Sequence, residues 1–134
     1  MIVTDASVVL AFLLTEQSVA YAREALAQVR NEGGVVPGNF ISEVCEGLLR
    51  AERRGRLPAK AVSTAIVNVA ALGVTTKSPE PMRAIELSRR YGITAYDSFY
   101  LALALEEDCM LATNDTSLCI AARTEGLYWE PAAP

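Results

Sequence analysis

Five short, mostly β-branched or apolar runs, separated by longer stretches with helical spacing, constrain this 134-residue chain more than any other feature. Ile2–Thr4, Val35–Pro37, Val74–Thr76, Cys109–Thr113 and Leu127–Trp129 are too short for helices and are bounded by turn or capping residues, so they read as strands. Between them, helices are predicted from Ala6 through Leu14, over Val19–Arg30, from Asn39 to about Arg54, from Pro58 to about Leu72, and over Pro81–Tyr91, Thr94–Glu107 and Ser117–Thr124. Gly33-Gly34, Gly55, Gly73 and Gly92 mark helix ends, and Pro58 suits a first helical turn. Strands that alternate with helices pair in parallel through right-handed crossovers. The expected fold is α/β: a three-layer α/β/α sandwich with a small, mainly parallel sheet, forming one domain over residues 1–134. Ligands of such sheets sit beyond the carboxyl ends of the strands, so residues there carry most of the functional information.

The composition narrows the chemistry. With no histidine in the chain, Ser-His-Asp and Cys-His nucleophiles and imidazole zinc sites are excluded. Cys45, Cys109 and Cys119 form no CxxC pair and are odd in number, which points to reduced thiols and a cytoplasmic protein. Val8–Leu14 resembles a signal core but follows Asp5 rather than a basic leader. It and Phe99–Leu105, the longest apolar runs, have seven residues each, against about 18 for a membrane span. A net charge of −4 argues against a broadly basic nucleic-acid-binding surface.

Aspartate is scarce, with four Asp against twelve Glu. Asp5 and Asp115 each lie just past a predicted parallel strand and just before a helix. Either can be a simple N-cap, yet together they occupy the same rim of the sheet. Thr94 and Asp97 have capping-box spacing, but the helix behind them is apolar all round, and a carboxylate entering a core needs a partner or a metal. Glu43 shares a polar helix face with Glu46, Arg50, Arg53 and Arg54, for which a solvated face with a Glu46–Arg50 pair is the simpler reading. Asp108 closes its helix toward solvent. If Asp5, Glu43, Asp97 and Asp115 meet, they form an all-oxygen site suited to Mg²⁺ or Mn²⁺. Such an ion supports phosphodiester hydrolysis. Removing these four carboxylates brings the formal charge from −4 to zero, so the acidity is largely that of one site.

Four stretches, in this order, resemble PIN-domain ribonucleases, and among them the VapC-like toxins of toxin–antitoxin modules: Ile2-Val3-Thr4-Asp5-Ala6-Ser7-Val8, Ser42-Glu43-Val44 with Leu48, Tyr96-Asp97-Ser98-Phe99-Tyr100-Leu101-Ala102-Leu103-Ala104, and Ala112-Thr113-Asn114-Asp115. The resemblance implies a metal-dependent endoribonuclease whose acidic cluster is Asp5, Glu43, Asp97 and Asp115. Asp5 and Asp97 would be the metal ligands, and Ser7 and Thr113 would be hydroxyls orienting them. It implies RNA as substrate, Mg²⁺ or Mn²⁺ as cofactor, a cognate antitoxin as partner, and a homodimer or higher toxin–antitoxin assembly. Phe12, Leu13 and Leu14 are candidates for the antitoxin surface, although core packing is the commoner use of such residues. Glu46 stands where the family usually has Asn. Arg50, Arg53 and Arg54, with Arg56 nearby, are the candidate RNA contacts; complementing a helix C-terminus is the alternative. A catalytically inactive scaffold binding RNA or a protein is the rival reading. Haloacid-dehalogenase-type and receiver-type domains fit less well, because Ser7 replaces the second Asp of the former and the paired acids of the latter are missing.

Overall fold

A computed structural model describes residues 1–133. Four strands, β1 (Ile2–Thr4), β2 (Gly34–Val36), β3 (Thr75–Thr76) and β4 (Met110–Ala112), form one parallel sheet in the order β3-β2-β1-β4. The register pairs Val3 with Val35 and with Leu111, making β1 the centre, where its side chains are fully buried. Seven helices surround the sheet: α1 (Ala6–Leu13), α2 (Val19–Glu32), α3 (Phe40–Arg53), α4 (Ala59–Ala70), α5 (Pro81–Tyr91), α6 (Ala95–Glu107) and α7 (Thr116–Thr124). The layers are α/β/α, with α2 packed on β1 and β2 and α6 on β1 and β4. Among the described residues, no helix is long and apolar enough to cross a membrane.

Local sequence explains the helix starts. Asp5 Oδ1 accepts from the Val8 N–H at 3.2 Å and begins α1, Thr94 Oγ1 accepts from the Asp97 N–H at 3.1 Å and begins α6, and Asp115 Oδ1 accepts from the Leu118 N–H at 2.8 Å and begins α7. Along α3, Phe40, Val44, Leu48 and Ala51 fall on one face and are buried. The centre of α6 is buried from Tyr100 to Ala104, as its all-round apolarity predicts. Phe12, Leu13 and Leu14 are partly buried and pack against the core.

One predicted strand does not form. Leu127–Trp129 contributes only an isolated bridge between Tyr128 and Leu111, because after Trp129 the chain runs into Pro131, which has no N–H for a further rung. Aromatic contacts hold this segment instead. Tyr21 stacks on Tyr128 at 6.1 Å between ring centroids, meets Trp129 edge-on at 5.5 Å, and donates from its hydroxyl to the Trp129 carbonyl at 2.9 Å.

The approach of α3 to α1 depends on Gly47, where a Cβ would overlap both δ-methyls of Leu10. Gly47→Val is expected to lower stability by about 1–3 kcal/mol through overpacking, measurable by urea unfolding. A variant of unchanged stability would show that this contact yields without cost.

Candidate active site

The carboxyl ends of β1 and β4 and the first turns of four helices converge on one open cleft of about 300 Å³. Asp5, Glu43, Asp97 and Asp115 all line it, together with Glu46 and Arg50. Asp5 precedes α1, Glu43 is in the first turn of α3, Asp97 is in the first turn of α6, and Asp115 precedes α7. Each acid therefore faces the positive end of a helix dipole.

Asp5 is the best-anchored of the four and is only 4% exposed. The Ser7 hydroxyl donates to its Oδ1 at 2.6 Å and the Thr113 hydroxyl donates to its Oδ2. Those hydroxyls are themselves fixed: Ser7 Oγ accepts from the Asn114 N–H at 3.0 Å, and Thr113 Oγ1 accepts from the Asp115 N–H at 3.0 Å. No basic side chain pairs with Asp5 among the described residues. Burial pushes its carboxyl up to about 6, against the opposing pull of Ser7, Thr113 and the Val8 N–H and with a contribution from the charge of Asp97.

Glu43 is half-buried rather than on a solvated face. Its Oε2 accepts from the Asn39 side-chain amide and from the Tyr100 hydroxyl at 3.1 Å, and Asn39 also donates to the Tyr96 carbonyl at 3.3 Å. Burial raises its pKa above the ordinary value, Asn39 and Tyr100 lower it, and the charge of Asp97 raises it further. Burial and the adjacent Glu43 charge hold the fully buried Tyr100 as a neutral phenol able to donate. Neither Asn39 nor Tyr100 was legible as a site residue; the only sequence sign was that both fall within or beside the stretches carrying Glu43 and Asp97.

Asp97 does not enter the core as its apolar helix suggested. It sits at the core's edge and is intermediate in exposure, because burial along α6 begins only at Ser98 and the helix residues before Asp97 are exposed. Only half of the capping box forms. Thr94 accepts from the Asp97 N–H, while no bond from the Thr94 N–H to the Asp97 carboxylate is made among the described residues. Burial raises the Asp97 pKa first, then the charge of Asp115, with Thr94 opposing. Asp115 is exposed and caps α7 through one oxygen. For Asp5 and Asp115, capping and membership of the cleft hold together.

At the rim, Glu46 Oε1 lies 3.3 Å from Arg53 Nη1 and 3.9 Å from Arg50 Nη2. Arg50 lines the cleft; Arg53 does not.

The donors around the cleft are all carboxylate and hydroxyl oxygens, a hard set suited to Mg²⁺ or Mn²⁺. Among the described residues, no three carboxylates or thiols stand close enough to chelate one ion together. That spacing fits an ion held by one or two carboxylates that keeps most of its water.

Comparison with known proteins gives a consistent picture. Residues 2–124 match the family described as PIN domain. The VapC ribonuclease Mb0985 of Mycobacterium bovis is 36% identical over 118 residues, covering 88% of each chain. Ribonuclease VapC9 of Mycobacterium tuberculosis shows the same identity and coverage. The crystal structure of PAE2754 from Pyrobaculum aerophilum superposes with a TM-score of 0.72 over 90% of this chain and 78% of that one, at 21% identity, and thus shares the fold.

Proposed function

The chain belongs to the PIN-domain family, and from that premise we propose that it is a VapC-type endoribonuclease, the toxin of a toxin–antitoxin pair, that hydrolyses RNA phosphodiesters with Mg²⁺ or Mn²⁺. Its partners are then RNA, a cognate antitoxin and a second copy of itself, all in the cytoplasm, and residues 1–134 act as one nuclease domain. One observation carries this reading: a buried aspartate, held on both oxygens by hydroxyls and lacking any basic partner among the described residues, shares an open cleft with four further carboxylates, of which only Glu46 is paired with arginine. A purely structural role gives no reason to gather uncompensated acids, since buried charge is costly unless paired or metal-bound.

In this proposal Asp5 and Asp97 hold the cation, and Ser7 and Thr113 fix the rotamer of Asp5. A bound divalent ion would acidify water and stabilise charge on the phosphate oxygens. Glu43, steadied through Oε2 by Asn39 and Tyr100, keeps Oε1 free to accept a proton from water. Asp115 offers the oxygen that does not cap α7.

The test is RNA cleavage by the purified chain with Mg²⁺ or Mn²⁺ against the same reaction in EDTA. Cleavage is expected with either ion, falling to background in EDTA and returning when Mn²⁺ is restored. Cleavage that survives EDTA would overturn the metal-dependent mechanism. No cleavage of any RNA under either ion would favour an inactive binding scaffold.

A further inference from the structure

The acidic cleft borders a second, smaller one of about 170 Å³. The two share Leu10, Gly47 and Arg50, and the second adds Arg54 and Arg56. Charge therefore reverses across Arg50. On one side stand five carboxylates, those of Asp5, Glu43, Glu46, Asp97 and Asp115; on the other stand guanidinium groups, with Glu16 the single acid. Among the described residues Arg50 is the only cation on the wall of the acidic cleft.

The arginines at this end of α3 are all exposed but not equivalent. Arg50 and Arg53 are engaged by Glu46. Arg54 and Arg56 make no ion pair or side-chain hydrogen bond among the described residues. Complementing the C-terminus of α3 explains cations in its last turn, but Arg56 lies beyond the helix. Gly55, at φ 73°, reverses the chain there, and the Arg56 N–H bonds back to the Ala51 carbonyl at 2.9 Å. That turn sets Arg56 beside Arg54 on the wall of the smaller cleft.

A polyanion nearing five carboxylates is repelled unless it arrives over compensating charge. We propose that Arg54 and Arg56, with Arg50 between them and the acids, form a docking site for the phosphodiester backbone of single-stranded RNA next to the bond to be cut, and that Glu46 is a counter-ion which Arg50 exchanges for phosphate. The RNA identity of the ligand rests on the ribonuclease reading above. Guanidinium pairs with phosphate bidentately. The exposed Glu46–Arg50 pair is weak enough to exchange, and Glu46 keeps Arg53 occupied outside both clefts. Of the arginine cluster expected from sequence, Arg50, Arg54 and Arg56 thus belong to the proposed docking site and Arg53 does not.

The test is binding of a fluorescent oligouridylate to the full chain carrying Asp5→Asn, in EDTA, across a salt series. Arg54→Ala and Arg56→Ala should each weaken binding about fivefold at 0.1 M salt and lower the slope of log affinity against log salt by about 0.7, the loss of one phosphate contact. Arg53→Ala should do neither, and Glu46→Gln should tighten binding. The proposal is overturned if Arg54→Ala and Arg56→Ala leave affinity and slope unchanged, or if Arg53→Ala weakens binding as much as they do. Should the arginine series behave as expected while the unsubstituted chain cleaves no RNA with Mg²⁺ or Mn²⁺, the docking site stands and the ribonuclease reading falls.

Discussion

Asp5→Asn is expected to reduce RNA cleavage in Mg²⁺ by about 100-fold or more and to flatten the pH dependence of the metal-free fold. In the folded chain the Asp5 carboxyl is raised from the ordinary 3.8 to about 6, so between those values the native state binds more protons than the unfolded state. Stability from this group is fully present below about pH 4 and is lost as pH rises through about 6, amounting to about 3 kcal/mol by neutral pH. Glu43 and Asp97, also raised, act in the same direction. Asparagine cannot ionise, so its variant should lack the largest part of that decline. It retains one acceptor oxygen and presents an amide to the second hydroxyl, so part of the Ser7–Thr113 arrangement is lost. Urea unfolding at pH 4 to 7 in EDTA reads the slope. Saturating Mn²⁺ should then stabilise the parent at neutral pH, by about 2.7 kcal/mol at 100 times Kd, and the variant far less. A variant that cleaves like the parent, or keeps its pH slope, would remove Asp5 from the role proposed for it.

Asp97→Ala is expected to lower cleavage by a similar factor while leaving the metal-free protein as stable as the parent or up to about 1 kcal/mol more stable. The helix start survives, because the bond to Thr94 uses the Asp97 backbone N–H. Alanine favours helix over aspartate, and the substitution removes a charge that faces Asp5, Glu43 and Asp115. Against this stands the lost attraction of a first-turn carboxylate for the helix N-terminus, about 0.3–1 kcal/mol. Paired cleavage and urea-unfolding measurements decide. Cleavage unchanged, or stability lost by more than about 1 kcal/mol, would return Asp97 to a structural role.

What could be read from the chain was what is encoded locally. Asp5 and Asp115 stand at strand ends and cap helices through neighbours three residues on, so short-range spacing revealed both their places and their shared rim. Strand alternation gave the parallel sheet and, with one exception, its strands. The rest depends mostly on long-range packing. Glu43 looked solvated because Tyr100 reaches it from α6, 57 residues on; its other partner, Asn39, stands only four residues back at the start of the same helix. Arg50 faces the acids because Gly47 lets α3 approach α1, which helical periodicity cannot express. The last strand failed for a local reason: pairing along Leu127–Trp129 stops at a single bridge, and Pro131 has no N–H for the next rung.

Four of the five cleft acids, Asp5, Glu43, Asp97 and Asp115, stand at the starts of α1, α3, α6 and α7, and this ties reactivity to architecture. A side chain that both begins a helix and faces the substrate cannot be exchanged freely. At Asp5 and Asp115, alanine would silence the cleft and also uncap a helix, at about 1 kcal/mol each. Amides preserve the cap while removing the charge, at the cost for Asp5 of one hydroxyl bond, since only one carboxylate oxygen is kept. Inactive forms for crystallography or complex formation are therefore best made as Asp5→Asn or Asp115→Asn, and a sequence that drifts to alanine at these two positions would lose its folding margin along with its activity.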